Sequence, residues 1–227
     1  MDENLKKTLW FFMLLILPIG SYAQKDVTQF LDIPVDGYKP EMIQKLKSKG
    51  FTINQNKKDA LNGEFNGTDV NIYIVTNNNK VWRVAVLDAI LTDETDIKIR
   101  FNNLIQQFAK NKRYSTEADS TIAKYTIPKD EDVSYEIAVH KKRYEAVFYQ
   151  KSLKYDSLVN EKEILYAKEK LNDKEKERVG DLIIETFRET MNGLNKQVWF
   201  TIDEDYGKYR IVIYYDNGYN KANGDGL

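Results

Sequence analysis

Apolar and polar residues alternate with a period of two between residues 51 and 87. In one of these stretches Val70, Ile72 and Ile74 alternate with Asn71, Tyr73 and Val75. Short polar turns separate the stretches. This spacing predicts a meander of adjacent antiparallel strands, with an Asn-Gly turn at Asn66. Residues 81–87 are apolar at nearly every position, which predicts a strand in the centre of the sheet.

Helical periodicity flanks this meander on both sides. Pro40 predicts the start of a short amphipathic helix that Gly50 stops. Apolar residues at positions i, i+4, i+7, i+8 and i+11 of residues 97–108 predict a second helix, capped by Thr95 and Asp96.

The second half of the chain mixes the two periods. Strands are predicted at residues 121–127, at 134–139 and 144–150 as a hairpin around His140, and at 198–202 and 209–215 as a second hairpin. Residues 152–176 carry dense charges of both signs beside a narrow apolar stripe, which predicts a surface helix. Asn172 predicts a break, after which an i+4 stripe restarts at Val179 and ends near Gly193.

These elements predict an α+β fold in which antiparallel meander sheets are packed with helices. We divide the chain into a signal peptide at residues 1–23, an α+β subdomain at 24–112, and a second α+β subdomain at 113–227. The second subdomain contains the long charged helical region and the C-terminal hairpin. Because both parts combine a helix with a meander, two similar subdomains are one arrangement that the pattern allows.

The first residues are typical of an export signal. Lys6 and Lys7 precede an apolar stretch at residues 9–19, and a small-x-small site ends at Ala23. A membrane-spanning helix needs roughly 20 apolar residues, so we expect cleavage and no transmembrane segment afterwards. The chain contains no cysteine, which excludes disulfides, thiolate nucleophiles and lipid attachment to a cysteine. We expect a periplasmic or secreted protein.

The composition is typical of a folded protein, and its net charge is too small to create a strong electrostatic field. The 34 Lys and Arg residues balance 35 Asp and Glu residues, which leaves a net charge of −1. Such a balance argues against nucleic acid as a partner.

Two segments carry a resemblance to known proteins. Residues 30–37 with 42–51 resemble exported proteins of unknown function from gut Bacteroidota, and so does the ending Tyr214-Tyr215-Asp216-Asn217 with Asn220 and Ala222-Asn223-Gly224. The short helix that runs through Lys49-Gly50-Phe51 into a meander is similar to the repeat of β-lactamase-inhibitor-protein and outer-membrane-assembly-lipoprotein folds. Those proteins act by binding other proteins, which this likeness implies here. The chain departs from them because it has neither a lipidation cysteine nor the inhibitor's disulfides.

Cysteine is absent and histidine is scarce, which leaves carboxylate-rich sites as the remaining option for a metal. The chain has one histidine, His140, which we interpret as a surface turn residue. Asp203, Glu204 and Asp205 do not follow the spacing of a calcium loop. We therefore name no catalytic residue, no metal ligand and no cofactor.

The number of tyrosines, 15, is the more unusual feature of the composition. The side chains that we name as binding candidates are Tyr73, Arg83, Tyr144, Tyr209, Tyr214 and Tyr215. Exposed aromatic strands suit recognition, although aromatic residues also fill ordinary strand positions. Trp82 and Arg83 are neighbours in one strand, so we expect opposite faces, with Trp82 under a helix and Arg83 exposed.

Export, exposed aromatic strands and the missing catalytic motifs together indicate a non-catalytic module that binds a protein or a cell-envelope component. A carbohydrate-binding protein is the alternative, with a glycan as partner. A hydrolase that uses two carboxylates is a third hypothesis. The sequence has 35 acidic residues and does not indicate which two would form such a pair.

Overall fold

The computed structural model describes residues 26–116 and 120–221. The expected signal peptide at residues 1–23 lies outside these described residues. Within them, no helix is both long enough and apolar enough to span a membrane.

The strands form an eight-stranded antiparallel sheet and a separate two-stranded ribbon. The ribbon contains β1 (Gln29–Phe30) and β2 (Ile33–Pro34). The large sheet contains β3 (Thr52–Ile53), β4 (Ala60–Phe65), β5 (Thr68–Asn77), β6 (Lys80–Asp88), β7 (Tyr114–Ser115), β8 (Glu145–Gln150), β9 (Gln197–Asp205) and β10 (Lys208–Asp216). Their spatial order is β3-β4-β5-β6-β10-β9-β8-β7.

Six helices complete the described elements. They are α1 (Lys39–Ser48), α2 (Glu94–Lys110), α3 (Ser120–Tyr125), α4 (Val133–Ala138), α5 (Tyr155–Tyr166) and α6 (Asp173–Gly193). Helices together with a large antiparallel sheet confirm the α+β prediction.

The predicted meander is present in β4, β5 and β6. The turn between β4 and β5 contains Asn66 and Gly67, whose φ angles of 52° and 71° lie in the left-handed region. Glycine adopts that region without steric cost, and the two left-handed residues match the turn that joins twisted strands. Strand β6 lies between β5 and β10, as its apolar sequence predicted.

Pairing between β6 and β10 makes the sheet continuous across the two halves of the chain. Val86 is opposite Ile213, and Val84 is opposite Tyr215. One large core cluster accordingly contains residues from both halves.

This core lies on one face of the sheet, under α1 and α2. Helix α2 buries its predicted apolar stripe, Ile97, Phe101, Leu104, Ile105 and Phe108, against alternate residues of the central strands. The α2 residue Arg100 also pairs with the buried carboxylate of Asp88 at the end of β6, with Nη2 2.6 Å from Oδ1. Packing and an ion pair therefore fix this helix on the sheet.

Two predicted strands are wrong. Residues 121–127 contain α3, because Ile122 and Tyr125 sit three positions apart and pack together against the core. Residues 134–139 belong to α4, whose first turn is capped by Asp132 through Tyr135 N at 2.8 Å. Short apolar runs do not separate strands from helices by periodicity alone. His140 consequently follows a helix, and the predicted partner strand β8 pairs with β9 and β7 instead.

One observed helix boundary differs from its prediction and another agrees with it. The N-cap of α2 is Asp93, whose carboxylate accepts from Asp96 N at 2.9 Å, rather than Thr95 or Asp96. The break predicted at Asn172 is confirmed, because Asn172 and Glu175 form a reciprocal capping box at the start of α6. Helices α5 and α6 thus form a hairpin inserted between β8 and β9, with its own small apolar cluster.

Candidate functional site

The face of the sheet opposite the core carries the second set of side chains of the central strands. We call it the open face. It is formed by Asn71, Tyr73 and Val75 of β5, Trp82, Arg83, Ala85 and Leu87 of β6, Arg210, Val212, Tyr214 and Asp216 of β10, Trp199, Thr201 and Asp203 of β9, and Glu145, Val147 and Tyr149 of β8. These residues alternate with core residues along each strand. Several large side chains in the middle of this face, including Tyr73, Leu87 and Trp199, remain only half-buried.

A β-bulge brings Trp82 and Arg83 onto this same face. Arg83 pairs with Val75, whereas the next pair joins Val81 to Thr76, so Trp82 is an extra residue in β6. A bulge interrupts the alternation of side chains and re-aims them. The expectation that Trp82 and Arg83 face opposite sides, with Trp82 under a helix, is therefore wrong.

The bulge helps to gather three aromatic rings around one guanidinium, and we call these four residues the Arg83 ladder: Trp82, Arg83, Tyr214 and Trp199. The Arg83 guanidinium carbon lies 4.3 Å from the centre of the Trp82 ring and 4.4 Å from that of Tyr214. Trp199 stacks on Tyr214 at 4.3 Å, with 27° between the ring planes. Cation–π contacts and ring stacking hold all four side chains in one arrangement.

Asp216 anchors the ladder from within the sheet. Its carboxylate accepts from Arg83 Nε at 2.6 Å and Nη2 at 2.7 Å, and from Trp199 Nε1 at 3.1 Å. Planar two-point pairing of this kind fixes the orientation of the guanidinium as well as its charge. Arg83 is therefore neutralised and largely covered, with 20% of its side chain exposed, rather than the free exposed group that the sequence predicts.

Burial changes the chemistry of the ladder's tyrosine. Desolvation raises the pKa of the Tyr214 phenol above its ordinary value of 10.0, and this outweighs the opposing effect of the nearby Arg83 charge. The phenol is thus neutral at physiological pH and can act as a hydrogen-bond donor.

Two further ion pairs lie on the open face. Arg210 and Asp203 are opposite each other on β10 and β9, with Nη2 2.7 Å from the carboxylate. Arg143, just before β8, lies 2.5 Å from the carboxylate of Glu145. With the Arg83 pair, these contacts balance three guanidinium charges with three carboxylates, so the face combines aromatic area with paired charge.

The structure separates the six binding candidates into two groups. Tyr73, Arg83 and Tyr214 lie together on the open face. The side chains of Tyr144, Tyr209 and Tyr215 are buried in the core, which leaves them no contact area for a partner.

Each buried tyrosine hydroxyl has a structural partner. Tyr144 donates to Glu131, and the Tyr209 hydroxyl lies 2.6 Å from Ser134 Oγ. Tyr215 and Tyr114 share a hydrogen bond. Burial raises the pKa of Tyr144 and Tyr215 well above the usual range, because it disfavours the phenolate.

Sequence reasoning missed Trp199 and Asp216 as members of this site. The signal for Trp199 was its position in a predicted strand, where it alternates with Val198 and Phe200, both buried in the structure. Asp216 follows the last apolar residue of β10, where an acidic residue is an ordinary end of a strand. Its role depends on the cross-strand position of Arg83.

A cavity of about 380 Å³ lies on the other side of the sheet, between α2 and the β1–β2 turn. Its polar side chains mainly bind each other: Arg113 Nη1 lies 3.0 Å from Asp32, and Gln150 Nε2 lies 3.2 Å from the Tyr114 hydroxyl. Leu31 in the turn has a φ of 52°, and its side chain packs against the core. The side chains that line this cavity thus have structural roles, and we assign no ligand to it.

His140 and the acidic residues form no further site in the described parts of the chain. His140 is exposed and lies 2.9 Å from Glu136 of its own helix turn. Within residues 26–116 and 120–221, no group of three or more His, Asp or Glu residues could hold a metal ion.

Comparison of the chain with known protein families, with curated proteins and with solved structures found no match.

Proposed function

We propose that this protein is a non-catalytic binding module that acts in the periplasm or outside the cell and holds a protein partner on its open face. The observation that carries the proposal is the Arg83 ladder on a sheet face that the core helices leave uncovered. Trp, Tyr and Arg are the residues that most often dominate binding energy in protein interfaces.

Rigidity of the ladder favours binding. Asp216 and the stacked rings hold Arg83 in place before any partner arrives. Ordering a flexible side chain at an interface costs roughly 0.5–1.5 kcal/mol. A pre-ordered surface avoids that cost.

A protein partner fits better than a glycan, the alternative reading. Sugar rings bind to the exposed faces of aromatic side chains, whereas the rings of Trp82, Tyr214 and Trp199 each turn a face to the Arg83 guanidinium or to a neighbouring ring. The half-buried apolar side chains of Leu87 and Val147 lie on the strands beside the ladder. Aromatic residues and arginine beside apolar side chains are typical of a protein interface.

Site-specific photo-crosslinking tests the proposal. A photoreactive phenylalanine analogue replaces Tyr73 on the open face, and Tyr135, which is 51% exposed on α4, in a matched control. Each variant is expressed in the native host, irradiated and probed for a crosslinked species. We expect the probe at position 73 to capture a defined protein and the probe at position 135 to capture none.

The Arg210–Asp203 ion pair on the open face supplies a second arm of this experiment. Arg210→Glu places two acidic groups opposite each other on β10 and β9 and should reduce crosslinking from position 73 without unfolding the protein, because the pair is partly exposed. Crosslinking that is equal from both positions, or that Arg210→Glu leaves unchanged, would refute a partner on the open face.

A further inference from the structure

Helix α6 carries two apolar stripes, and α5 covers only one of them. Val179 and Leu182 are buried against Leu165 of α5, with Leu158 and Leu171 packed alongside. The second stripe lies on a different side of α6 and is exposed.

The exposed stripe is large for a protein surface. It consists of Ile183, Ile184, Phe187 and Met191 together with Leu194, the residue that caps the end of the helix, and their exposed fractions range from 46% to 66%. Contiguous apolar residues along one helix mark an interaction site, because an ordinary surface does not concentrate them. Within the described residues, no other element packs over this stripe closely enough to bury it.

Its spacing is that of a seam between two helices. Starting at Gly180, apolar or small residues recur at Ile184, Phe187, Met191 and Leu194, in alternating steps of four and three. A repeat of this kind keeps one side of a helix in contact with a second helix along its length. The stripe therefore suits a helical partner better than a flat surface.

The charges beside the seam identify that partner. Asp181 and Arg188 are seven residues apart on the same flank of the stripe, and both are exposed. In the part of the chain that the structure describes, neither forms an ion pair. In an antiparallel pair of identical helices, residues of one flank meet the same flank of the other copy, so Asp181 would meet Arg188 twice.

We propose that two copies of this chain associate through α6 in an antiparallel, twofold-symmetric helix pair. Ile184 of each copy packs against Phe187 of the other, and Gly180 lies opposite Met191. An added Cβ at Gly180 would meet no atom within 4 Å, so open space is present there for the longer Met191 side chain. A parallel pair would instead place Gly180 against Gly180 and Arg188 against Ile183, so Arg188 would have no opposite charge.

Sedimentation equilibrium over a range of concentrations tests this dimer. We expect twice the monomer mass at high concentration and dissociation on dilution, since one helix face buries less than the standard interface. Ile184→Glu should weaken association by about a hundredfold or more, because twofold symmetry repeats the lost contact. The matched control is Ile99→Glu on α2, since Ile99 is 55% exposed and Ile184 is 59% exposed.

Exchange of the two charges distinguishes the proposed antiparallel orientation from non-specific hydrophobic association. Asp181→Arg and Arg188→Asp should each weaken the dimer by about threefold to tenfold, and the double variant should restore it. Circular dichroism checks that every variant remains folded. A wild-type chain that stays monomeric, a dimer insensitive to Ile184→Glu, or a double variant without rescue would each overturn the proposal.

Discussion

Arg83 and Asp216 face each other across the junction of β6 and β10, where they form a two-point ion pair. The same carboxylate accepts from the indole of Trp199 on the next strand. One acidic residue thus connects three strands and sets the orientation of the ladder on the open face.

Removal of this carboxylate should be costly. Asp216→Ala leaves the Arg83 charge largely covered and unpaired, because only 6% of the Asp216 side chain and 20% of the Arg83 side chain are exposed. We expect a loss of about 3 kcal/mol in the free energy of unfolding, measured by urea denaturation. Asp203→Ala is the control, since the Arg210 pair is more exposed, and it should cost less than about 1 kcal/mol. Equal losses would contradict an anchoring role for Asp216.

Acid should weaken the attachment of α4. Burial acts to raise the pKa of Glu94, but hydrogen bonds from Ser134, Val133 N and Lys98 outweigh it, so the net pKa lies below the ordinary 4.5. A lowered pKa in the folded state stabilises the fold above the ordinary carboxyl range, and this contribution is lost as the pH falls through the folded pKa.

Glu94→Gln should therefore be less stable than the wild type at neutral pH, by about 1 kcal/mol for the weakened contacts. The difference should shrink as the pH falls below about 4, because the wild-type carboxyl then also becomes neutral. Denaturation curves between neutral and acidic pH provide the measurement. A difference that stays constant with pH would show that the charge of Glu94 contributes nothing.

A methyl group at Gly63 should disturb the core. A Cβ at this position of β4 would lie 2.5 Å from Cδ1 of Phe51, whose ring is buried. Gly63→Ala should lower the free energy of unfolding by about 1–3 kcal/mol. Gly180→Ala, at an open position within α6, should instead leave it unchanged or raise it by up to about 1 kcal/mol. If Gly63→Ala is as stable as Gly180→Ala, the close approach to Phe51 is not limiting.

The capping box should control the α5–α6 hairpin locally. Asn172 Oδ1 accepts from Glu175 N at 3.0 Å, and Glu175 accepts from Asn172 N at 2.9 Å. Asn172→Ala should destabilise the start of α6 by about 1 kcal/mol. Hydrogen exchange should then accelerate in the first turns of α6 and remain unchanged in β6. Faster exchange throughout the sheet would show instead that the hairpin and the sheet unfold together.

The local pattern of apolar and polar residues was sufficient to predict several of the long helices and strands. Continuous alternation predicted β5 and the central position of β6, and the stripe from Ile97 to Phe108 predicted α2. They were insufficient for α3 and α4, which have six residues each, because so short a run fits either period. Contacts with the core and with Asp132 decided those two segments.

For the binding candidates, the sequence determined which residues occur in strands but not which face each strand buries. Tyr209 and Tyr215 alternate with Arg210, Tyr214 and Asp216, so period two separated these sets without naming the core side. Placement of α2 on one face made Tyr209 and Tyr215 core residues. The bulge at Trp82, which depends on how β6 pairs with β5, placed Arg83 between two rings. Pairing and packing join residues far apart in the chain, and local periodicity contains no information about such contacts.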